Sequence, residues 1–505
     1  MALLTITAFV IFASLLYFWV KHKYAHWEKK GIKSPPVVPF IGHFGRIITF
    51  KESIDGFTKR IYEDFPNEPA VGTYRCLTPA VVLRDPELIK QVMIKDFPVF
   101  EDRGIRALDD PINDNLFVAE GETWRILRQK LTPIFTSGKL RNMMPLIDKC
   151  VGEYLEYVDG LVARGVDHEV RDLSSKYTLE VIGSCAFGVD MDVFNEKENI
   201  FRDVGNRIFS PSLLSRFAQF ADFLIPGTLN FLHKTKIYDI NERTQTFFLN
   251  LVNKIVGERE GRPKSRKDFM DLMIELKEQK LIEKREHDKV AKLEMSPELM
   301  AAQAVVFYAA GFETSSATMS FLIHELAFHQ DIQQRLHDEI CAVTEKHGGK
   351  LTYDALSEMT YLEMCFDETL RKYPIVGTLI RKALVDYQFP GTKLKIDKGT
   401  VVFLPVGGLQ SDSQYFENPD EFDPERFSPE NKGKIPQCVY MPFGEGPRHC
   451  IGIRFAKVQS MIGLAAFLKR FKVTPSDNSK RDLSFDAKSI TLTSDRGIWV
   501  KITKR

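Results

Sequence analysis

No Cys-x-x-Cys pair occurs in the 505 residues, and the seven cysteines, an odd number, fall into no regular framework. Scattered thiols of this kind suit a reducing compartment, on the cytosolic side of whatever membrane is involved. Neither sign of charge is in surplus: 69 Lys and Arg stand against 68 Asp and Glu, so the overall balance offers nucleic acid no reason to bind. A clear interior linker, internal repeats and low-complexity tracts are also missing. Length alone would suggest about three or four domains, but without linkers the chain, 44% apolar, reads as one large core.

A long charge-free run does occur at the amino end. From Ala2 to Val20 no side chain is charged, and about twenty apolar residues suffice to cross a bilayer as one helix. Tyr17, Phe18 and Trp19 stand at its interfacial end, and Lys21, Lys23, Lys29, Lys30 and Lys33 follow, which places the rest of the chain in the cytosol. The run is longer than a signal-peptide core and closes without a small-x-small cleavage site, so residues 1–20 are expected to be an anchor and not a cleaved leader. Residues 21–42 are basic, then proline-rich at Ser34-Pro35-Pro36-Val37-Val38-Pro39, and read as a stiff extended connector. Residues 43–505 form the single large domain.

The rest of the chain is organised around Phe443-Gly444-Glu445-Gly446-Pro447-Arg448-His449-Cys450-Ile451-Gly452. Gly446 and Gly452 lack the Cβ atoms that would hold another backbone or a flat cofactor away, and Arg448 offers a cation for a carboxylate. Cys450 is read as an iron ligand. A buried structural cysteine is the bland alternative, and zinc a weaker one, because only the adjacent His449 is at ligand spacing. A dinucleotide loop fails where Pro447-Arg448-His449 replaces the third glycine. The loop resembles the haem-binding segment of the cytochrome P-450 family, whose Phe-x-x-Gly-x-Arg-x-Cys-x-Gly pattern matches at all five fixed positions.

Other segments extend the resemblance over nearly the whole chain. Trp124 and Arg128, four apart on one helical face, match the family's Trp-x-x-x-Arg, which implies contact with a haem propionate. Ser296-Pro297-Glu298 starts a helix running to about Phe328. Its only charge between Leu299 and Ile323 is Glu313, but its many polar groups argue for a buried helix and not a second membrane span. Phe307, Ala310, Gly311 and Thr314 share one face of it, where small residues leave room for a macrocycle and a diatomic ligand. The resemblance assigns Thr314 to hydrogen bonding dioxygen at the iron and Glu313 to proton relay. It also gives Glu368, Arg371 and Arg426 as a buried structural network, through Glu-x-x-Arg and Pro424-Glu425-Arg426-Phe427. Arg381 becomes a further propionate contact, and Phe117, Ile375, Val376, Leu379 and Thr491 become cavity wall. Gln410-Ser411-Asp412 stands where members often have His-x-Asp.

The fold so implied is mainly α with small β-sheets, with haem between the long central helix and the cysteine loop. Alternation predicts a sheet around Ala70 to Tyr74 and Ala80 to Leu83. Helical spacing marks Asp172 to Gly188, Thr228 to Glu258, and Gly452 to about Phe471. The Phe- and Leu-rich stretch Phe201 to Phe231 reads equally as helical core and as the cavity roof that the family would place at the membrane surface. Lys277 to Glu294 reads as a solvated loop, and Thr491 to Ile502 as a closing hairpin.

Within the family the chain looks most like the microsomal branch of insects that oxidises foreign compounds. That resemblance implies haem b with a cysteine thiolate ligand, dioxygen as co-substrate, and insertion of one oxygen atom into a hydrophobic molecule: a xenobiotic, plant toxin, insecticide or endogenous lipid. With no dinucleotide fingerprint in the chain, NADPH would act through a membrane-bound P-450 reductase, with a b-type cytochrome as a second donor. The expected location is the endoplasmic reticulum membrane, cytosolic face. Arg125, Lys130, Arg454 and Lys457 are candidates for the reductase-docking face. A haem-thiolate isomerase or dehydratase and a non-enzymatic haem or lipid carrier are the competing readings.

Overall fold

The computed structural model describes residues 2–105, 110–195, 199–209, 213–225, 227–235, 242–261, 268–279, 282–286 and 289–505. Its central element is a helix of 32 residues, Pro297–Phe328. The Ser296 hydroxyl caps it by accepting the Leu299 N–H at 3.2 Å, and Pro297 occupies the first turn, where a missing N–H costs nothing. The helix is buried on almost every side, which is why apolar residues run nearly all round it. Its hydroxyls turn back on its own backbone: Thr318 Oγ1 donates to Thr314 O at 2.8 Å, Ser320 Oγ to Ser316 O at 2.6 Å, and Ser316 Oγ to Glu313 O at 2.9 Å. Polar groups satisfied in this way are compatible with a protein interior.

Helices dominate the rest, and small sheets flank them, as the spacing predicts. Val170–Ile182, Glu242–Glu258 and Ile453–Arg470 pack on the central helix. Val170–Ile182 comes closest at Gly311, where an added Cβ would lie 2.5 Å from Ile182 Cδ1. The main sheet runs Ala70–Arg75, Thr78–Leu83, Val401–Leu404, Leu379–Lys382. Thr78–Leu83 pairs in parallel with Val401–Leu404 (Val81 opposite Val402), and Leu379–Lys382 joins antiparallel with Arg381 opposite Val402. This register brings Arg381 from the sheet to the edge of the cavity described below.

Three expectations change. The charged run is not wholly loop, because Ile282–Glu286 and Lys289–Leu293 form an antiparallel hairpin; charge on both strands hides the alternation. Thr491 to Ile502 is not a hairpin. Only Trp499–Lys504 is a strand, and it pairs with Phe471–Pro475 and His168–Glu169, since alternation cannot name a strand's partner. Thr228 to Glu258 carries helices as its spacing predicts, Thr228–Lys234 and Glu242–Glu258. The roof stretch holds Ile200–Phe209 and Leu213–Leu224, with 210–212 and 226 outside the described residues.

The third change concerns the connector. The amino-terminal helix runs Ala2–Tyr24, and among the described residues it is the one helix long and apolar enough to cross a membrane. Residues 21–42 are not a free spacer beyond it. Trp27 is fully buried against the first strand, with Nε1 donating to Thr73 O at 2.9 Å. Gly72 makes this possible, because a Cβ there would lie 2.3 Å from the indole. Lys33 O accepts Gly72 N at 2.8 Å, and Gly42 bridges to Arg75.

Candidate active site

A cavity of about 290 Å³ lies between the central helix and the cysteine loop. Gly444 and Gly446 take φ of +73° and +68°, a left-handed backbone open to glycine, and they reverse the chain. Cys450 N then donates to Phe443 O at 2.8 Å and His449 N to Gly446 O at 3.0 Å, closing a loop that turns the cysteine into the cavity. Phe443 and Gly452 also line the space, whereas Gly446 serves the far side of the loop: a Cβ there would come 1.8 Å from Met93 O. Burial raises the Cys450 thiol pKa, and the Gly452 amide with the charges of Arg128 and Arg103 pulls it back down.

The walls are apolar. Phe117, Phe307, Ala310, Gly311, Ile375, Val376 and Leu379 all line the cavity. Phe307 is wedged between Phe135, stacked at 5.6 Å, and Phe269 at 4.3 Å. At one edge stand Trp124 and four guanidinium groups, those of Arg103, Arg128, Arg381 and Arg448. Arg448 lies over the Trp124 ring at 4.2 Å and gives Nη2 to Ala119 O at 2.8 Å, with Asp102 Oδ1 at 3.6 Å. Its Nε and Nη1 are buried without partners, as is Nε of Arg381. Arg128 donates to His449 O at 2.8 Å. Burial lowers Arg381 to about 9, helped by the Arg448 charge, and lowers Arg448 to about 10. Arg103 falls well below its ordinary value through burial and the charges of Arg381 and Arg448. Crowded cations with orphaned N–H groups need an anion from outside the chain. The carboxylates of a flat apolar group fit this edge, as the propionates of haem would.

Thr314 faces the cavity and gives Oγ1 to Ala310 O at 2.8 Å. Glu313 does not. Successive helical residues are turned about 100° from one another, and this turn points the Glu313 carboxylate outward to an ion pair with Arg171. Thr491 Oγ1 donates to Glu313 at 3.0 Å, so Thr491 lies behind the helix and not in the cavity wall. Thr491, expected in the cavity wall, is not there, and Glu313, expected as a proton relay, stands beside the cavity with Arg171 as a partner that the sequence did not reveal.

Behind the cavity, Arg371 grips both oxygens of Glu368, and Asp423 N donates to Glu368 Oε1 at 3.0 Å. Arg426 Nε stands 3.5 Å from the same oxygen. Gln410 replaces the family's usual histidine with three bonds of its own. Its Nε2 donates to Leu370 O at 2.9 Å and Arg371 O at 3.0 Å, and its Oε1 accepts Met441 N at 3.0 Å. It therefore ties the end of the Thr360–Lys372 helix to the start of the cysteine loop.

Two of the candidate docking cations are already engaged, Arg125 with Glu101 and Glu122, and Lys457 with Glu363 and Asp367. Arg454 is exposed. Arg103 is the site residue that sequence reasoning missed: no motif or periodicity surrounds it, and its place is decided by contact with Phe117 and Arg448.

A family model described as cytochrome P-450 matches residues 32–500. The chain is 40% identical to cytochrome P-450 6B7 of Helicoverpa armigera over 97% of this chain and 96% of the relative. It is 38% identical to cytochrome P-450 6B1 of Papilio polyxenes and 36% to cytochrome P-450 6a2 of Drosophila melanogaster, each over 98% of both chains. With the geometry of the cysteine loop, the match over almost the entire length places this chain in the cytochrome P-450 family of monooxygenases.

Proposed function

We propose that the cavity seats haem b, whose iron the Cys450 thiolate would hold and whose carboxylates Arg448, Arg381, Arg128 and Trp124 would hold, and that the enzyme oxidises a hydrophobic small molecule held against Phe117, Phe307, Val376 and Leu379. The observation that carries this is the set of buried, unpartnered Arg448 and Arg381 N–H groups in the same cavity as the thiol. A thiolate-ligated haem, when bound, supplies dioxygen activation, since the sulfur pushes electron density that favours O–O cleavage.

The chain's own residues bind, orient and manage protons. Apolar walls desolvate the substrate and offer it shape in place of hydrogen bonds. Thr314 Oγ1 can donate and accept, and rotation away from Ala310 O turns it toward the reacting centre. Glu313 can hand on a proton only after its carboxylate parts from Arg171, so the pair sets when the relay is open. Electrons come from an NADPH-dependent reductase on the same membrane, with a b-type cytochrome as second donor. The Ala2–Tyr24 helix anchors the protein in the endoplasmic reticulum, catalytic domain on the cytosolic face. The test is the reduced carbon monoxide spectrum of the purified chain. A strongly red-shifted Soret band is expected, lost in Cys450→Ser, and substrate-dependent NADPH consumption is expected in membranes reconstituted with reductase. Product formation without NADPH would favour a haem-thiolate isomerase instead.

A further inference from the structure

The cavity wall at Ile375 and Val376 belongs to neither a helix nor a strand. The Thr360–Lys372 helix has ended and the Leu379–Lys382 strand has not begun. Such a segment has no ladder to fix it, so its shape depends on where each polar group is tied. Ile375 O accepts Leu492 N at 2.9 Å, and Gly377 O accepts Gly407 N at 2.9 Å. The remaining ties come from one helix, Ile54–Asp64, which stands behind the wall. Asp55 Oδ2 accepts Gly377 N at 3.0 Å, and the hydroxyls of Thr58 and Thr378 meet at 2.6 Å. A Cβ on Gly377 would lie 3.0 Å from the Asp55 side chain, so the carboxylate presses directly beneath the backbone that presents Val376. Val376 itself is 38% exposed, into the cavity that it lines.

We propose that Asp55, which does not line the cavity, is a specificity-determining positioning residue that fixes the Val376 wall through the Gly377 amide. The proposal rests on the cavity being the substrate site. Asp55 is the one charged acceptor among the four ties, and bonds to charged groups are the stronger ones. Burial pushes its carboxyl up to about 6, against the pull of the Gly377 amide and the Thr378 hydroxyl. An acid serving only the start of its helix would be stabilised as the anion, whereas this anion stands at neutral pH at a cost to the fold.

The experiment titrates the haem-loaded full chain with imidazoles bearing n-alkyl chains of increasing length and reads the shift of the Soret band. Asp55→Ala orphans the Gly377 N–H and lets the wall re-form. About tenfold changes in Kd are expected for the longer ligands, with a displaced optimum length, because a methylene's worth of cavity is worth that much. Asp55→Asn keeps an oxygen acceptor for the Gly377 N–H but loses its charge, so it should shift the same ligands by clearly less than Asp55→Ala does. Thr58→Val, which removes the adjacent tie, should shift the same ligands in the same direction. If Asp55→Ala does not load haem, Thr58→Val and Asp55→Asn carry the test alone. An unchanged length profile in Asp55→Ala or in Thr58→Val overturns the proposal, as does an Asp55→Asn profile altered as far as that of Asp55→Ala. A parent chain that loads haem but binds no alkyl imidazole overturns the reading of the cavity itself.

Discussion

Arg371 gives Nε and Nη2 to the two oxygens of Glu368 at 2.7 and 2.8 Å, and neither side chain is reached by solvent. The same guanidinium donates to Gln410 O at 3.0 Å and Glu421 O at 3.1 Å, so one planar fork joins the Thr360–Lys372 helix to the end of the short helix Val406–Gln410 and to the loop at Glu421. Burial raises the Glu368 carboxyl pKa, and the hydrogen bonds and charge of Arg371 oppose it. A buried pair of this kind is costly to break, because the survivor is left charged and dry.

Arg371→Lys is therefore expected to behave as a disruptive change, since an ammonium cannot span the four acceptors. A loss of about 3 kcal/mol is expected for it and for Glu368→Gln. Thermal unfolding of the haem-loaded protein checks this, together with the yield of protein that binds carbon monoxide. A midpoint unchanged in both variants would show that the network is dispensable.

Arg171 and Glu313 should be energetically coupled. Arg171→Leu leaves a 4% exposed carboxylate with Thr491 as its remaining partner, at an expected cost of about 3 kcal/mol. Adding Glu313→Gln should recover part of that loss, with a coupling energy of about 1 kcal/mol or more in denaturant unfolding. Strictly additive losses would mean that the pair contributes nothing.

Asp55 should make stability depend on pH. Its carboxyl is raised from 3.8 to about 6 in the fold by burial, so between those values the native state holds more proton than the unfolded chain, and stability falls as pH rises. Asp55→Asn removes the titration. The variant should match the parent near pH 4 and exceed it above pH 6 by about 1 kcal/mol, the shift being discounted for the solvent that still reaches this partly buried group. Thermal midpoints at the two pH values measure it. A gap that narrows as pH rises would contradict the sign.

Gly72→Val should release the juncture between the amino-terminal helix and the rest of the chain. Its new side chain would begin 2.3 Å from the Trp27 ring, so the indole must leave a fully buried site. Limited proteolysis of the full chain should then cut between residues 25 and 42 several times faster, by local opening of about 1 kcal/mol. Trp27→Ala should do the same, and equal cutting in all three proteins would contradict the clamp.

Much of this was legible in the sequence because it is local. Ser296-Pro297-Glu298 marks a helix start by its own hydrogen bonds, and Phe307, Ala310, Gly311 and Thr314 share a face because of helical spacing alone. Left-handed glycines make the loop at Gly444 and Gly446 recognisable for the same reason. Adjacency did not reveal the partners: helix geometry turns Glu313 to Arg171 and Thr314 to the cavity.

The sequence by itself determined the family, the thiol that faces the cavity, the long buried helix and the Glu368 to Arg371 pairing, since each rests on residues within a few positions of one another. Only the tertiary structure decided that Asp55 holds Gly377 across 322 positions and that Arg103 meets Arg448 across 345. It also decided that Trp27 locks onto Thr73. Backbone geometry dictates neighbours along a helix or a turn, whereas contacts between distant segments follow from how whole elements pack, which short-range spacing does not encode.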